Sequence, residues 1–168
     1  VIFGTHSDDT LSLLADPNKA ERDALGAIAY QPNEITLHAD ESIMPKRRQT
    51  WSSWVYTEDK KVAGDQIDLT YWMNSLQPIP MGDPHFVTLN TKRTIREDLI
   101  YDQVTLRHPV YDLAALAAQE KIRAMNGMNS TWFTGAWLRH GFHEDGLDSA
   151  VNVADAILRT PAQSLAAE

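Results

Sequence analysis

The residues best suited to chemistry lie in one short segment near the C-terminal end of the sequence. Histidines, carboxylates and glycines are interleaved there, namely Gly135, His140, Gly141, His143, Glu144, Asp145 and Gly146. Glycine lets another molecule approach the backbone closely, and the start of a helix offers about four unpaired N–H groups and about half a positive charge. The segment therefore predicts a site for an anionic or electron-accepting ligand.

A strand, a turn and a helix are expected to position these residues. Residues 132–134 favour a strand, and the small pair Gly135-Ala136 ends it. Asp145 is the predicted N-cap of a helix that Pro161 stops. An apolar stripe recurs at helical spacing and is expected to face the core, through Leu147, Ala150, Val151, Ala154, Ile157 and Leu158.

Several stretches resemble one enzyme family. They are residues 135–137, the run Gly-Phe-His-Glu-Asp-Gly-Leu at 141–147, Ser149 and residues 153–154. Together they resemble the C-terminal flavin-binding segment of the flavin-containing amine oxidase superfamily, closest to bacterial predicted NAD/FAD-binding oxidoreductases. Weaker similarity at residues 1–14, 71–77 and 107–111 extends the resemblance over nearly the whole chain.

This resemblance implies FAD as the cofactor and hydride transfer to flavin from an amine or carbon substrate. It places Gly146 and Leu147 at the flavin ring and Gly135 nearer the phosphates. The implied cofactor-binding set is Gly135, Ala136, His143, Glu144, Asp145, Gly146 and Leu147. Ala136 suits the narrower group but departs from the Gly-Glu or Gly-Asp pair of the wider superfamily, whose carboxylate contacts the ribityl or phosphate groups of the flavin. The resemblance identifies no catalytic residue.

The glycine fingerprint of a dinucleotide-binding domain is absent from the sequence. The eight glycines are scattered, and none forms the Gly-x-Gly-x-x-Gly turn that holds the FAD pyrophosphate. We therefore expect the chain to be the C-terminal portion of a longer flavoprotein whose N-terminal domain is its partner. Alone, the segment is expected to bind FAD weakly or not at all and to be inactive.

Hydrophobic periodicity predicts an α+β fold with an antiparallel or mixed sheet and flanking helices. The resemblance divides it into residues 1–17 (end of the FAD-binding domain), 18–110 (substrate-domain sheet) and 111–168 (return to the FAD-binding part). Helices are expected at residues 7–14, after an Asn18 cap, and after an Asp112 cap. Alternation predicts strands at residues 35–39, 51–56 and 67–73, with a hairpin loop at 58–65 and shorter strands at 86–89 and 103–106.

Three aromatic residues of the predicted sheet are candidates for a substrate pocket. Trp54, Tyr56 and Trp72 have a parity that, in a suitable register, places them on one face. The resemblance puts that face beneath the flavin. Ordinary core packing is the alternative explanation for the same rings.

Composition narrows the classes of function. The chain has no cysteine, which excludes disulfides and thiol catalysis, and a net charge of −8 argues against a nucleic-acid surface. No apolar run is long enough for a membrane span, so a cytoplasmic protein that acts on a small molecule is expected.

Two other classes of function stay open. His140, His143, Glu144 and Asp145 could serve a metal-dependent hydrolase, although no His-Glu-x-x-His pairing is present and no metal ligand is assigned. The chain could instead be a non-catalytic binding or oligomerisation module whose exposed apolar surface drives homodimerisation.

Overall fold

Two segments distant in sequence form one of the two structural units of the chain. The computed structural model describes residues 1–58 and 68–159. Residues 1–31 and 109–168 make up unit 1, and residues 32–108 make up unit 2. The assignment of these parts to a flavin-binding domain and a substrate sheet stays a prediction.

The described residues confirm the predicted α+β class. The helices are α1 (Ser7–Leu13), α2 (Lys19–Leu25), α3 (Met73–Leu76), α4 (Leu113–Met125) and α5 (His143–Arg159). The strands are β1 (Ile2–Phe3), β2 (Tyr30–His38), β3 (Trp54–Thr57), β4 (Asp68–Trp72), β5 (Phe86–Leu89), β6 (Ile100–Pro109) and β7 (Trp132–Phe133). Three predicted features lie outside the described residues. They are the hairpin loop at 58–65 apart from Glu58, the first residue of the 67–73 strand, and the helix stop at Pro161.

Local signals in the sequence fix the helices of unit 1. Asn18 and Glu21 form a complete capping box at the start of α2. The Asp112 side chain accepts the Ala115 N–H at 2.8 Å and caps α4. Both predicted caps are confirmed.

The core of unit 1 packs around one face of α4. Ala115, Ala118, Ile122 and Met125 are all buried, as their helical spacing predicts. Phe133, Trp137 and Leu138 join them in one cluster with residues of α2. This core holds β7 and the turn after it against α4.

Unit 2 is built on a five-stranded sheet in the order β3-β4-β5-β2-β6. The β3–β4, β4–β5 and β2–β5 pairs are antiparallel. Strand β5 matches its predicted bounds, whereas the 51–56 strand begins only at Trp54 and Met73 starts helix α3. Helix α3 ends after a single turn because Pro78 disfavours the helical conformation of the residue before it, and Gln77 is accordingly extended.

No helix among the described residues is long and apolar enough to cross a membrane.

Candidate functional site

Strands β1 and β7 bring two segments about 130 residues apart in the sequence together. They pair in parallel, Ile2 opposite Trp132 and Phe3 opposite Phe133. The Thr134 N–H continues the ladder by donating to the Phe3 carbonyl at 2.9 Å. The chain therefore leaves the β7 end at a fixed point and enters the glycine-containing turn.

Ser149 links this turn to α5. Its Oγ accepts the Gly135 N–H at 2.9 Å and donates to the Gly146 carbonyl at 2.8 Å. Thr134 Oγ1 lies 2.7 Å from the same oxygen. Because Ser149 has only one hydroxyl hydrogen, Thr134 must be the donor in that contact. One serine therefore ties the strand end, the turn and the first turn of the helix together.

The chain's own aromatic rings account for two of the glycines. Gly135 has a φ of +154°, and a Cβ there would overlap the indole of Trp137. Gly141 has a φ of +92°, and a Cβ there would overlap the Tyr111 hydroxyl. Gly135 was expected to admit a ligand to the backbone, and that expectation stays a prediction. Internal packing is by itself a sufficient reason for glycine at both positions.

Asp145 does not occupy the position predicted for it. Helix α5 begins at His143, so Asp145 is its third residue rather than its N-cap. The carboxylate reaches back and accepts the N–H groups of Phe142 at 3.0 Å and His140 at 3.2 Å. It thus acts like the acidic residue of a capping box, which caps a helix from its third position. The prediction failed because an acidic residue is favourable both at the N-cap and at the third position of a helix, so the sequence does not distinguish the two.

The orientation of α5 also differs from the prediction. The apolar stripe faces solvent, with Leu147, Val151 and Leu158 exposed to 58%, 49% and 83%. The inward face carries Asp145, Ser149 and Val153, which are spaced four residues apart. The hydrogen bonds of Asp145 and Ser149 fix the helix rotation, and the stripe then points outward.

The seven predicted cofactor-binding residues fall into two groups. Gly135, Ala136, Asp145 and Gly146 come together in the turn, where the Gly146 backbone packs on Ala136 at ordinary van der Waals distance. The side chains of His143, Glu144 and Leu147 are exposed at the helix start. The structure thus brings the small residues together and leaves the larger ones on the surface.

The charge around the helix start is mixed. Glu144 and Asp145 lie in the first turn of α5. Arg139 approaches Asp145 and Asp148 at 3.7 Å each, at the distance of loose ion pairs. The first intrahelical bond is from the Gly146 N–H to the Phe142 carbonyl at 3.2 Å. A ligand at the helix start would therefore meet backbone N–H groups beside two carboxylates, which oppose strong anion binding.

A buried hydroxyl lies beside the turn. Among the described residues, the Tyr111 Oη is buried without a hydrogen-bond partner. Burial raises the pKa of Tyr111 to about 12, with Tyr30 and Asp145 adding to the shift, so the phenol is neutral and keeps its proton. Sequence reasoning gave no signal of an unpaired donor at Tyr111.

A cavity of about 370 Å³ opens beside α4, β7 and α5. Asp145 and Ser149 line it together with Arg123, Asn126 and Asn152, which sequence reasoning did not single out. The Asn126 side chain is engaged at both ends, accepting the Phe133 N–H at 2.6 Å and donating to the Phe133 carbonyl at 3.1 Å. Its role is therefore to anchor β7.

The expected aromatic trio of unit 2 is not on one face. Trp54 lies directly opposite Tyr71, so Trp72, the next residue along β4, points to the other face. The Trp54 and Tyr71 rings meet edge to face at 5.5 Å, whereas Trp72 contacts Trp51 at 5.3 Å. The prediction was wrong because parity within a strand says nothing about register between strands.

The predicted metal-ligand candidates do not form a cluster. Within residues 1–58 and 68–159, the group of histidine and carboxylate atoms close enough to share an ion is His6, Asp8 and Asp9. His140, His143 and Glu144 are not part of such a group. The metal-hydrolase alternative therefore has no geometric support in the described structure.

Comparison with known proteins gives a similarity of fold. No protein-family model and no curated protein sequence matches the chain. The structure is similar to that of a CLA-producing fatty acid isomerase from P. acnes, with a TM-score of 0.56 and 14% sequence identity. The match covers 94% of this chain and 40% of that enzyme, so the chain spans about two-fifths of its length. At this identity the match establishes a shared fold.

Proposed function

We propose that the chain is the C-terminal part of an FAD-dependent oxidoreductase similar to the amine oxidases. The observation that carries the proposal is the β7-turn-α5 arrangement, in which Ser149 ties the turn at Gly135 to the start of the helix. This is the segment whose sequence resembles a flavin-binding motif. A fold shared over two-fifths of a fatty acid isomerase agrees with a role inside a longer enzyme.

The turn fits a flavin in part. The start of α5 has backbone N–H groups that the helix itself does not use, and the Tyr111 hydroxyl has no partner in the described structure. Against this, Gly135 and Gly141 are explained by internal packing, and Glu144 and Asp145 bring negative charge. The chain is therefore better suited to position one edge of a flavin than to bind the whole cofactor alone.

Flavin, when bound, would accept a hydride from an amine or carbon substrate. The role left to this chain is to offer hydrogen bonds from the start of α5 and to exclude water. On the sheet, Trp54 and Tyr56 remain candidates to contact an apolar substrate, now with Tyr71 rather than Trp72 as the third ring.

A flavin titration of two proteins tests the proposal. The first is the 168-residue chain, and the second is the longer product of the same reading frame, which is proposed to supply the Gly-x-Gly-x-x-Gly turn. We expect the longer product to be purified with the absorption spectrum of oxidised flavin and the 168-residue chain to be colourless. A longer product that is colourless and does not quench added FAD fluorescence would contradict the proposal.

A second candidate is a non-catalytic oligomerisation module. The outward apolar stripe of α5 favours it, since Leu147, Val151 and Leu158 are exposed side by side at helical spacing. A colourless full-length product that self-associates would favour this module over the flavoenzyme.

A further inference from the structure

Strand β1 pairs with β7 along one edge and has a second edge that is free in the described part of the chain. The carbonyls of Val1 and Phe3 both accept N–H groups of the β7 segment at 2.9 Å. The C=O and N–H of a trans peptide point in opposite directions, so the N–H groups of Ile2 and Gly4 point away from β7. Neither N–H group has a hydrogen-bond partner among the described residues.

A side chain closes the opposite edge of the β1–β7 pair. The Asn126 amide accepts the Phe133 N–H at 2.6 Å and donates to the Phe133 carbonyl at 3.1 Å, as the backbone of a neighbouring strand would. Proteins commonly cover the sheet edges that they do not use for pairing. The edge at which this sheet can accept a further strand is therefore the β1 edge.

Two parallel strands alone are an incomplete sheet. Purely parallel sheets occur almost only where both faces are covered, and a sheet generally needs three or more strands for independent stability. The face that carries Phe3 and Phe133 packs on the core of unit 1. The opposite face carries Ile2, which is 57% exposed. The β1 edge thus offers a further strand both unused backbone groups and an uncovered apolar side chain.

The small size of this edge favours a strand of the same polypeptide over a separate molecule. The groups on offer are the N–H and carbonyl of Ile2 and the N–H of Gly4. They form a contact far smaller than the roughly 1,000 Å² that a specific interface between separate proteins needs. Within one polypeptide, covalent linkage supplies the high effective concentration that makes so small a contact sufficient. The fold shared with the fatty acid isomerase is 40% of that enzyme, so this fold does occur inside a longer chain.

We propose that a strand of the longer protein, outside these 168 residues, pairs in parallel with the free edge of β1. The parallel direction follows from β1 and β7, which run the same way and are each followed by a helix of unit 1. The added strand should be apolar on both faces, because strands of parallel sheets are buried on both. The proposal rests on the part of the proposed function that makes this chain a portion of a longer protein, and it does not depend on flavin.

Amide hydrogen exchange, measured on the 168-residue chain and on the longer product of the same reading frame, tests the proposal. The reporter is the Gly4 N–H, and the internal control is the Thr134 N–H, which donates to the Phe3 carbonyl. We expect the Thr134 N–H to be protected in both proteins. The Gly4 N–H should exchange freely in the 168-residue chain at every concentration and at least about a hundredfold more slowly in the longer product.

Two substitutions of Ile2 distinguish a paired strand from other ways of covering this edge. Ile2→Pro removes the outward N–H and leaves the bonds to β7 possible, since they do not use that group. In the longer product it should speed exchange of the Gly4 N–H about tenfold, the factor that corresponds to one typical hydrogen bond. Ile2→Ala is the matched control, because it shortens the side chain and keeps the N–H, and it should leave the Gly4 N–H protected.

A Gly4 N–H that exchanges as fast in the longer product as in the 168-residue chain would overturn the proposal, whatever the colour of the longer product. So would a protected Gly4 N–H in the 168-residue chain, whether intrinsic or through pairing with a second copy at high concentration. Protection that Ile2→Pro leaves intact, or that Ile2→Ala removes as fully, would also overturn it, because a ladder bond would not be its cause. A colourless longer product with a protected Gly4 N–H would contradict the flavoenzyme and support the added strand.

Discussion

The hydroxyl oxygens of Thr134 and Ser149 lie 2.7 Å apart and join the end of β7 to the first turns of α5. All seven candidate cofactor-binding positions lie between these two residues in the sequence, in the turn and at the start of α5. Since the Ser149 hydroxyl also accepts the Gly135 N–H and donates to the Gly146 carbonyl, three contacts of one residue hold the candidate site together.

Replacing Ser149 by alanine should destabilise unit 1. The change leaves the part-buried Thr134 hydroxyl and Gly135 N–H without their partner, which typically costs about 1–3 kcal/mol. Urea unfolding followed by tryptophan fluorescence measures the loss. The control is Ser12→Ala, at an exposed position where the hydroxyl donates to the Asp9 carbonyl, and it should change stability by less than about 0.5 kcal/mol. Equal effects of the two changes would remove the structural role assigned to Ser149.

Replacing Asp145 by alanine should loosen the start of α5. The carboxylate accepts two backbone N–H groups and is only 8% exposed, so its loss should cost about 1–2 kcal/mol. Hydrogen exchange of the Phe142 amide should also be faster in this variant, because that amide donates to the Asp145 carboxylate. Glu144→Ala, at the adjacent exposed position, should leave that amide protected. A protected Phe142 amide in Asp145→Ala would contradict the assignment.

The three glycines of the site should respond differently to alanine. Gly135→Ala and Gly141→Ala should each destabilise the fold by more than about 1 kcal/mol, because both have positive φ and their Cβ would overlap an aromatic side chain. Gly146→Ala should be neutral or stabilising by up to about 1 kcal/mol, because Gly146 lies within α5 and its Cβ would make ordinary contacts. Thermal unfolding of the three variants checks the order.

The same Gly146→Ala change separates structure from function. If Gly146 approaches flavin in the longer protein, the variant should keep its stability and lose affinity for FAD. Flavin fluorescence titration of the folded variant measures this loss. Unchanged affinity would remove Gly146 from the proposed cofactor contacts.

Stability should fall as the pH drops from about 6.5 to 4. Burial lowers the pKa of His38 to about 4 from its ordinary value of 6.5. Between these values the unfolded chain takes up a proton that the folded chain does not, so acidification favours unfolding. The neutral, buried His38 thus stabilises the folded state by at most about 3 kcal/mol. This stabilisation is complete above about pH 6.5, decreases as the pH falls, and is lost near pH 4.

Urea midpoints measured across this pH range test the role of His38. His38→Gln should remove most of the slope between pH 6.5 and 4, whereas His143→Gln, at an exposed position, should keep it. An unchanged slope in a folded His38→Gln would assign the acid sensitivity to other groups.

Much of the fold could be predicted from local sequence signals. The caps at Asn18 and Asp112 depend on residues three positions away, and the buried face of α4 depends on helical spacing alone. Such signals can be recognised without knowing the rest of the fold. The class of fold follows from them and from the alternating strands.

The errors concern features that distant contacts decide. Asp145 and Ser149 set the rotation of α5 through bonds to the preceding turn, which override an apolar stripe that helical spacing would place inward. The register of β3 against β4 places Trp54 on the same face of the sheet as Tyr71, not Trp72. The same limit applies to the sheet, where Thr36, Thr70 and Thr88 are buried around His38 on the face that also buries Phe86.

The parallel pairing of β1 with β7 also has a consequence for synthesis on the ribosome. Ile2 and Phe3 pair with Trp132 and Phe133, so β1 finds its partner only after about 130 further residues have been made. The unit 2 sheet lies wholly within that interval and can form first. The pairing of β1 with β7 must then follow, which makes unit 1 the later part to be completed.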